Sequence, residues 1–565
     1  MRKIILHALF FLSLLFRTEA QQNNFGWAIK AGAQFDDVGY SITTDNNNNV
    51  CSTGYFEGTV DFDPGSGTNN LTSAGLGDIY IQKLSATGTL LWARKIGSTG
   101  FDYAYSITSD NGGNFLICGS FEGTVDFDPG TGVSNLTATS PGHDIFVLKL
   151  DLAGNFVWAK AVGGNGEDEA VGITTDYSQN VIVTGYFSNT VDFDPGAGTN
   201  SQTSNGLYDN FILKLDPSGN YMWAVTMGGT NYDYSKAVAT DADMNIITTG
   251  TFGATVDFDP GPNTYYLTSN GGSVYGDIYV QKLDSNGIFT WTQQMGWFGD
   301  DIGTSVKVDG AGNVYTTGWF QVTVDFDPGS GVHNLVTNGG GYTDDIFVQK
   351  LDANGNFIWA AGMGGPTDDR GFSLALDNIG DVCTTGFHSG TGDFDPGTGT
   401  SNLTGDGAFL SKLSNSGSFI WAKQMTASEG HGIASDAIGS IYSTGQFDHS
   451  VDFDPGSGTF MLSSNAGSID AYVQKLNSPS AGIISYIINN TAIHPNPSSG
   501  NFNLTFTKMM PQITIEVLTA AGQLIFHTTI ENAMSQQLEI NQPAGMYFLK
   551  LSTGNEFGYH KLIIE

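Results

Sequence analysis

The chain has 565 residues, 40% of them hydrophobic, and sets 56 acidic against 21 basic side chains for a formal net charge of -35. That balance excludes nucleic acid and anionic membrane surfaces as partners, since both need clustered Lys and Arg; it suits solubility, divalent cations or cationic partners. With 76 Gly, 37 Phe and 22 Tyr and only 14% charged residues, the composition favours short strands joined by many turns over helices.

At the N-terminus, Arg2 and Lys3 precede a mostly apolar run from Ile4 to Phe16, and Thr18-Glu19-Ala20 offers a small-residue cleavage site. Residues 1-20 are expected to be a secretory signal peptide, with Gln21 as the mature start. No later segment approaches about 18 uninterrupted apolar residues, so no membrane span is expected and the product is placed outside the cell or on its surface. Cys51, Cys118 and Cys383 are too few and too odd in number for a disulfide framework; their similar strand contexts read as small buried apolar positions.

From Trp27 to Leu476 the chain repeats with a period of about 65 residues, the length of a four-stranded unit with one long loop. Trp27, Trp92, Trp158, Trp223, Trp291, Trp359 and Trp421 mark one strand of each unit, and Leu84, Leu150, Leu215, Leu283, Leu351, Leu413 and Leu476 end a "KL" strand. In the unit Val171–Ala224, "VGITTD", "VIVTGYF", "NFILKL" and "YMWAV" read as four strands, separated by Gly, Asn and Asp. No apolar pattern with a 3.6-residue period is sustained, so the chain is expected to be all-β. The series opens on a Trp strand and closes on a "KL" strand. Pairing those two closes a ring and removes both exposed edges. Residues 21-476 are therefore expected to form a seven-bladed β-propeller closed by N-terminal strand exchange, with an open solenoid as the alternative.

These motifs carry a resemblance. "DDVGYSITTDNNNNVCSTGYF" followed by "GDIYIQKLSATGTLLWARKIG" is similar to the SBBP-type β-propeller repeat of secreted bacterial proteins. The resemblance covers about Trp27 to Leu476 and implies a fold without a particular activity. This chain departs from the pattern by inserting "TVDFDPG…NLTS" between the second and third strands.

That insertion holds the candidate site residues. "VDFDPG" recurs at Val60, Val125, Val191, Val256, Val324 and Val451, with a variant at Gly392. Along an extended segment Asp61 and Asp63 point to one side, while Val60 and Phe62 point to the other. Two readings stay open. In one, the apolar residues anchor the loop, Pro64 and Gly65 make a type II turn, and Asp63 caps it. In the other, the paired carboxylates and loop carbonyls hold calcium, which takes six to eight oxygens. The residues of the second reading are Asp61, Asp63, Asp126, Asp128, Asp192, Asp194, Asp257, Asp259, Asp325, Asp327, Asp393, Asp395, Asp452 and Asp454.

Three further Asp series recur. Asp37, Asp102, Asp168, Asp233, Asp301 and Asp369 enter the first strand; blade seven departs, with Ser428 at that place and Glu429 beside it. Together with the "DFDPG" loops, this series is expected to make one ring face strongly acidic. Asp45, Asp110, Asp176, Asp241, Asp309, Asp377 and Asp436 suit Asx turns, and Asp78, Asp144, Asp209, Asp277, Asp345 and Asp470 precede the third strand in structural roles. The Trp series is expected between blades. Of the two tryptophans outside it, Trp319 and Trp297, the loop residue Trp297 is the better ligand-stacking candidate.

His143, His333, His388, His431 and His449 lack metal-ligand spacing, and no GxSxG, HExxH or phosphate loop appears. Repeated carboxylate pairs also sit poorly with an enzyme, whose site is normally unique. The reading is a non-enzymatic binding or structural module for an extracellular glycan or protein. The alternative is a carbohydrate-active enzyme with its site in the loops of blades five to seven.

Beyond Leu476 the period is lost. Residues 477-482 read as a linker, and 483-565 as a small Ig-like β-sandwich. Pro495-Asn496-Pro497, the Gly500-Asn501-Phe502 start, the "AAGQ" hairpin and "GMYFLKL" stand in the order of the type A C-terminal sorting domain of the type IX secretion system, which this segment resembles. The resemblance implies export, outer-membrane passage with the type IX machinery as partner, and release or surface attachment.

Overall fold

The computed structural model describes residues 23–139, 142–272, 275–465, 467–478, 491–519, 524–553 and 556–565. The expected signal peptide and linker residues 479–482 lie outside the described residues. Every regular element among the described residues is a β-strand, and none is a helix long and apolar enough to cross a membrane. The chain divides into two compact units, one spanning Asn24–Asn477 and the other containing Ser478–Glu565.

Seven antiparallel four-strand arrangements of one design make up the first unit. In sheet one, Val38–Thr44, Val50–Phe56, Asp78–Leu84 and Leu90–Ile96 pair in that order. Sheets two to six start at Tyr103–Ser109, Glu169–Thr175, Asp233–Thr240, Ile302–Val308 and Arg370–Leu376. Sheet seven joins distant parts of the chain: Ser428–Ser435, Ile441–Phe447 and Asp470–Asn477 are completed by Asn24–Ala31, in register from Asn24 opposite Asn477 to Ala31 opposite Ala471. The first strands contact one another in cyclic order, one to seven and back to one, around a common axis.

Burial follows position within each sheet. Third strands such as "DIYIQKL" and "DIFVLKL" are buried at every residue because both faces meet neighbouring sheets. Fourth strands such as "LLWARKI" mix buried, half-buried and exposed residues, as an outer edge should. The "KL" lysine is buried against the Asx-turn Asp: Lys83 with Asp45 at 2.8 Å, Lys214 with Asp176 at 2.9 Å, Lys282 with Asp241 at 2.8 Å. Its ammonium also reaches the next sheet. Lys83 Nζ and Trp92 Nε1 both donate to Leu152 O, and Lys282 and Trp291 both donate to Ala353 O. Where they share a carbonyl in this way, Trp and Lys pin an outer strand to its neighbour. Cys51, Cys118 and Cys383 are buried free thiols on second strands.

Each insertion is a short hairpin, for example Thr59–Asp61 with Asn70–Thr72. Its Val and Phe are core residues: Val125 and Phe127 are wholly buried, and Phe127 meets Phe121 edge-on at 5.3 Å. The hairpin of sheet three also pairs with the fourth strand of sheet two, Gly163 opposite Asp192 and Gly164 opposite Val191.

In the second unit, five strands form one connected antiparallel sheet. The long strand Asn501–Thr519 pairs with Leu524–Glu539 along its length, with Thr491–His494 near its start and with Gly545–Thr553 near its end. Phe502, Leu504, Ile515, Val517, Leu549 and Leu562 are core residues of this unit.

Candidate functional site

All fourteen "DFDPG" carboxylates serve their own turns. Asp61 Oδ1 accepts from the N–H of Asp63 at 3.0 Å and of Asn69 at 2.8 Å, and Asp63 Oδ1 accepts from Gly65 N–H at 2.8 Å. The pattern repeats for Asp126 and Asp128, Asp192 and Asp194, Asp257 and Asp259, Asp325 and Asp327, Asp393 and Asp395, and Asp452 and Asp454. Gly65 is not among the glycines at positive φ, so the expected type II turn is replaced by an Asx turn, in which the carboxylate does the work of a backbone carbonyl. The close fit falls on Gly67, where an added Cβ would sit 2.1 Å from Asp63 Oδ2. Among the described residues, no group of three or more His, Cys, Asp or Glu side chains is arranged to hold a metal ion.

The series beginning at Asp37 does not contribute to an exposed acidic face, which corrects the sequence expectation. Each member is buried. Asp168 Oδ2 accepts from Gly164 N–H at 2.8 Å and Oδ1 from Ser188 N–H at 3.1 Å, fastening the loop before the first strand to the end of the second. Burial raises the carboxyl, to about 7 in Asp168 and Asp233 and about 8 in Asp37, against the lowering effect of these N–H bonds. Facing each of these groups is the buried Asp that opens the third strand of the preceding sheet. A Cβ on Gly364 would lie 2.9 Å from both Asp345 Oδ1 and Asp369 Oδ2, so two carboxylates share one small space roofed by glycine.

The axial channel, by contrast, is single-copy. Each first strand carries a bulge, and the extra residue is Tyr40, Tyr105, Val171, Lys236, Thr304, Phe372 or His431 in turn. All seven line a channel of about 370 Å³. Six residue types at seven equivalent positions produce an asymmetric ring on a symmetric frame.

Aromatic residues extend this ring outward where the first strands begin. Tyr40 stacks on His431 at 5.6 Å and meets Tyr105 at 5.5 Å, Tyr105 stacks on Tyr103 at 5.8 Å, and Tyr103 stacks on Phe101 at 5.7 Å. Phe372 links His431 to Trp319, whose face carries Arg370 at 5.4 Å. A second array joins Tyr186, Tyr208, Tyr232 and Tyr234, with Lys236 over Tyr234 at 4.8 Å. Glu169 lies on the first strand between these arrays. Burial pushes the Tyr55 and Tyr234 hydroxyls up to about 12, so they remain neutral donors and acceptors. Such a surface stacks against flat apolar faces and hydrogen-bonds at their rims, the chemistry of sugar recognition.

Trp297, the sequence candidate, lies 49% exposed against Phe298; Trp319 is the tryptophan at the channel mouth. The bulge residues escaped the sequence reading because attention went to what repeats. Their signal is the reverse: in "VGYSI", "EGHGI" and "RGFSL" one variable position stands among small, repeated neighbours.

An uncharacterized WD repeat-containing protein L264 of Acanthamoeba polyphaga mimivirus is 25% identical over 474 residues, 70% of this chain and 34% of that protein. The chain thus spans about a third of that relative's length. Among solved structures, the Dos1 propeller superposes with a TM-score of 0.37 at 9% identity, over 82% of this chain and 97% of that one. A tetra-tandem repeat from the extending region of a large adhesion protein gives a TM-score of 0.10 at 10% identity, over 93% of this chain and 99% of that one. Superpositions this loose bear no weight for function. Residues 492–565 match the family model for the secretion system C-terminal sorting domain, which indicates a protein secreted through the type IX system to the cell surface or beyond.

Proposed function

We propose that this chain is a secreted or surface-displayed, non-enzymatic glycan-binding propeller. Its seven sheets are read as blades closed by the Asn24–Ala31 strand, its repeat as SBBP-type, and its C-terminal module as an Ig-like sorting domain removed or retained at the surface. The binding site is the channel mouth. One observation carries this reading: the seven bulge positions, equivalent by fold, hold six different residue types and are surrounded by stacked aromatics. A purely structural axis would repeat one small residue, as the flanking Gly, Ala and Ser positions nearly do. Extended arrays of half-buried rings around the mouth suit a polymer lying across it better than a small enclosed metabolite.

The test is a glycan and surface-polymer binding array with the full secreted chain, followed by titration of any hit. Trp319→Ala and Tyr234→Ala are expected to lower affinity by roughly tenfold each, the scale of one lost aromatic contact. Binding that survives both substitutions unchanged, or an array with no hit, overturns the assignment.

A further inference from the structure

Six of the seven inter-sheet junctions are built to one plan. Five residues separate Ile96 from Asp102, and the same number separates Val162 from Asp168, Met227 from Asp233, Met295 from Asp301, Met363 from Asp369 and Ala31 from Asp37. The incoming Asp N–H clasps the loop before the neighbouring third strand: Asp102 on Gly77 O at 2.9 Å, Asp168 on His143 O at 2.9 Å, Asp37 on Ile469 O at 2.8 Å. Beneath the clasp lies the facing carboxylate pair, and the glycine five residues after each Trp makes room for it. An added Cβ on Gly97 would come within 2.4 Å of Asp78 Cγ, and on Gly163 within 2.2 Å of Asp144 Cγ.

The junction between sheets six and seven departs from this plan in loop length and in all three side chains, and keeps only a shortened clasp, Ala427 N–H on Asp406 O at 2.9 Å. Only Thr426 and Ala427 separate Met425 from Ser428, and Leu403 reaches Gly407 across three residues where Leu71 reaches Asp78 across six. Both loops that meet elsewhere are thus shortened by three residues. The three side chains beneath them change together: Thr426 replaces the glycine, Gly407 the third-strand Asp, and Ser428 the first-strand Asp. Ala427 adopts φ 53° to make the abbreviated connection. Beside this shortened clasp a cleft of about 600 Å³ opens, within the size range of small-molecule sites. Because both loops are short they still meet, and the space their longer counterparts fill elsewhere is left open beside them.

Phe387 and Ile469 give the cleft apolar wall, and Asp406, Glu429 and Asp448 bring carboxylates to it. None of its lining residues is Lys or Arg. Asp406 accepts from Gly390 N–H at 3.0 Å and Ser389 Oγ at 2.8 Å, and Glu429 pairs with His431 at 3.3 Å; both are held below the usual carboxylate range by these partners. The cleft is therefore rich in charged acceptors and poor in charged donors. Through the Glu429–His431 contact it adjoins the channel mouth.

We infer that the cleft between sheets six and seven is a subsite for a cationic amino sugar unit, whose ring packs on Phe387 and Ile469 and whose ammonium is held by the Asp406, Glu429 and Asp448 carboxylates. This rests on the glycan reading of the mouth and adds a preference: the polymer carries free amino groups. The experiment titrates the full secreted chain at low salt with glucosamine oligomers, neutral glucose oligomers of equal length, and a trilysine peptide. Glucosamine oligomers are expected to bind about tenfold more tightly than the neutral ones. Glu429→Gln and Asp448→Asn, with unchanged melting temperature, should abolish that advantage, while Asp243→Asn on a distant turn should retain it. An advantage that persists in both cleft variants overturns the inference, as does equal binding of the two oligomers or equal competition by trilysine. Neutral binding that depends on Trp319 would leave the mouth assignment standing in each of those cases. Failure of both oligomers to bind would overturn the mouth reading and the cleft with it.

Discussion

Two buried carboxylates facing each other across a sheet junction are a stored pH dependence. Asp144 is raised to about 6 and Asp168 to about 7, chiefly by burial. Against an unfolded value of about 3.9, the folded chain binds more protons between pH 4 and 7, so stability falls as pH rises through that window. Asp110, Asp176 and Asp241 are held lower by their Asn and Lys partners, and their contribution is lost as pH falls below about 4. The melting temperature should peak near pH 4–6 and drop by a few degrees or more by pH 8.5, measured calorimetrically. Asp144 Oδ1 has no hydrogen-bond partner, whereas its Oδ2 accepts from Thr139 N–H at 2.9 Å. Asp144→Asn keeps that acceptor and offers Asp168 a donor in place of a like charge. It should raise the melting temperature at pH 8.5, leave it nearly unchanged at pH 5, and so flatten the profile.

At the scale of elements, the "VDFDPG" hairpin acts as a peg. Phe127 fills a site between the second and third strands of its own sheet, touching Phe121 and Phe146. Phe127→Ala should cost about 3–5 kcal/mol in denaturant unfolding, the range for emptying a buried aromatic site. The paired Asp residues have a smaller task. Asp126→Ala removes the acceptor for Asp128 N–H and Ser134 N–H and should cost about 1–2 kcal/mol. If turn capping is its whole role, melting curves of parent and variant will be the same with calcium as with a chelator. A calcium-dependent gap between them assigns the carboxylates to an ion.

For the whole molecule, closure leaves a traceable scar. At five junctions the Trp indole N–H and the "KL" ammonium share a carbonyl in the turn between the third and fourth strands of the next sheet, as at Ala86 for Trp27 and Lys475. Sheet seven takes its fourth strand from Asn24–Ala31, so no such turn faces sheet six. There Trp421 Nε1 is buried without a partner, and Lys412 turns to two carboxylates, Asp377 at 2.6 Å and Asp381 at 3.5 Å. Asp381 thus stands in for the missing carbonyl, and Asp381→Ala should destabilise by about 1–3 kcal/mol, as when a buried ammonium loses one partner. Deleting residues 24–31 leaves the Asp470–Asn477 strand as an open edge. The deletion should lower the melting temperature sharply and expose sheet seven to proteolysis before the others.

Much of the fold was legible because repetition multiplies weak signals. One Trp strand or one "DIYIQKL" run is ambiguous, but seven in phase define strand order, hairpin position, a spare strand before the first unit and a missing one in the last. The Asx-turn series was legible for a similar local reason, since an Asp at a strand end followed by Asn four residues on caps its own turn whatever surrounds it. Local chemistry also decided the "DFDPG" loops, although their turn type depended on a side-chain acceptor that backbone propensity does not register. Tertiary structure alone decided which carboxylates are buried. Asp168 looks in sequence like a surface-loop residue, and only the neighbouring sheet takes it out of water, against Asp144. It alone also gathered Tyr40, Tyr105, Lys236, Phe372 and His431, one or two repeats apart in the chain, around one axis. The sequence determined what repeats, because local geometry enforces it; the differences among repeats acquired meaning only when the sheets converged.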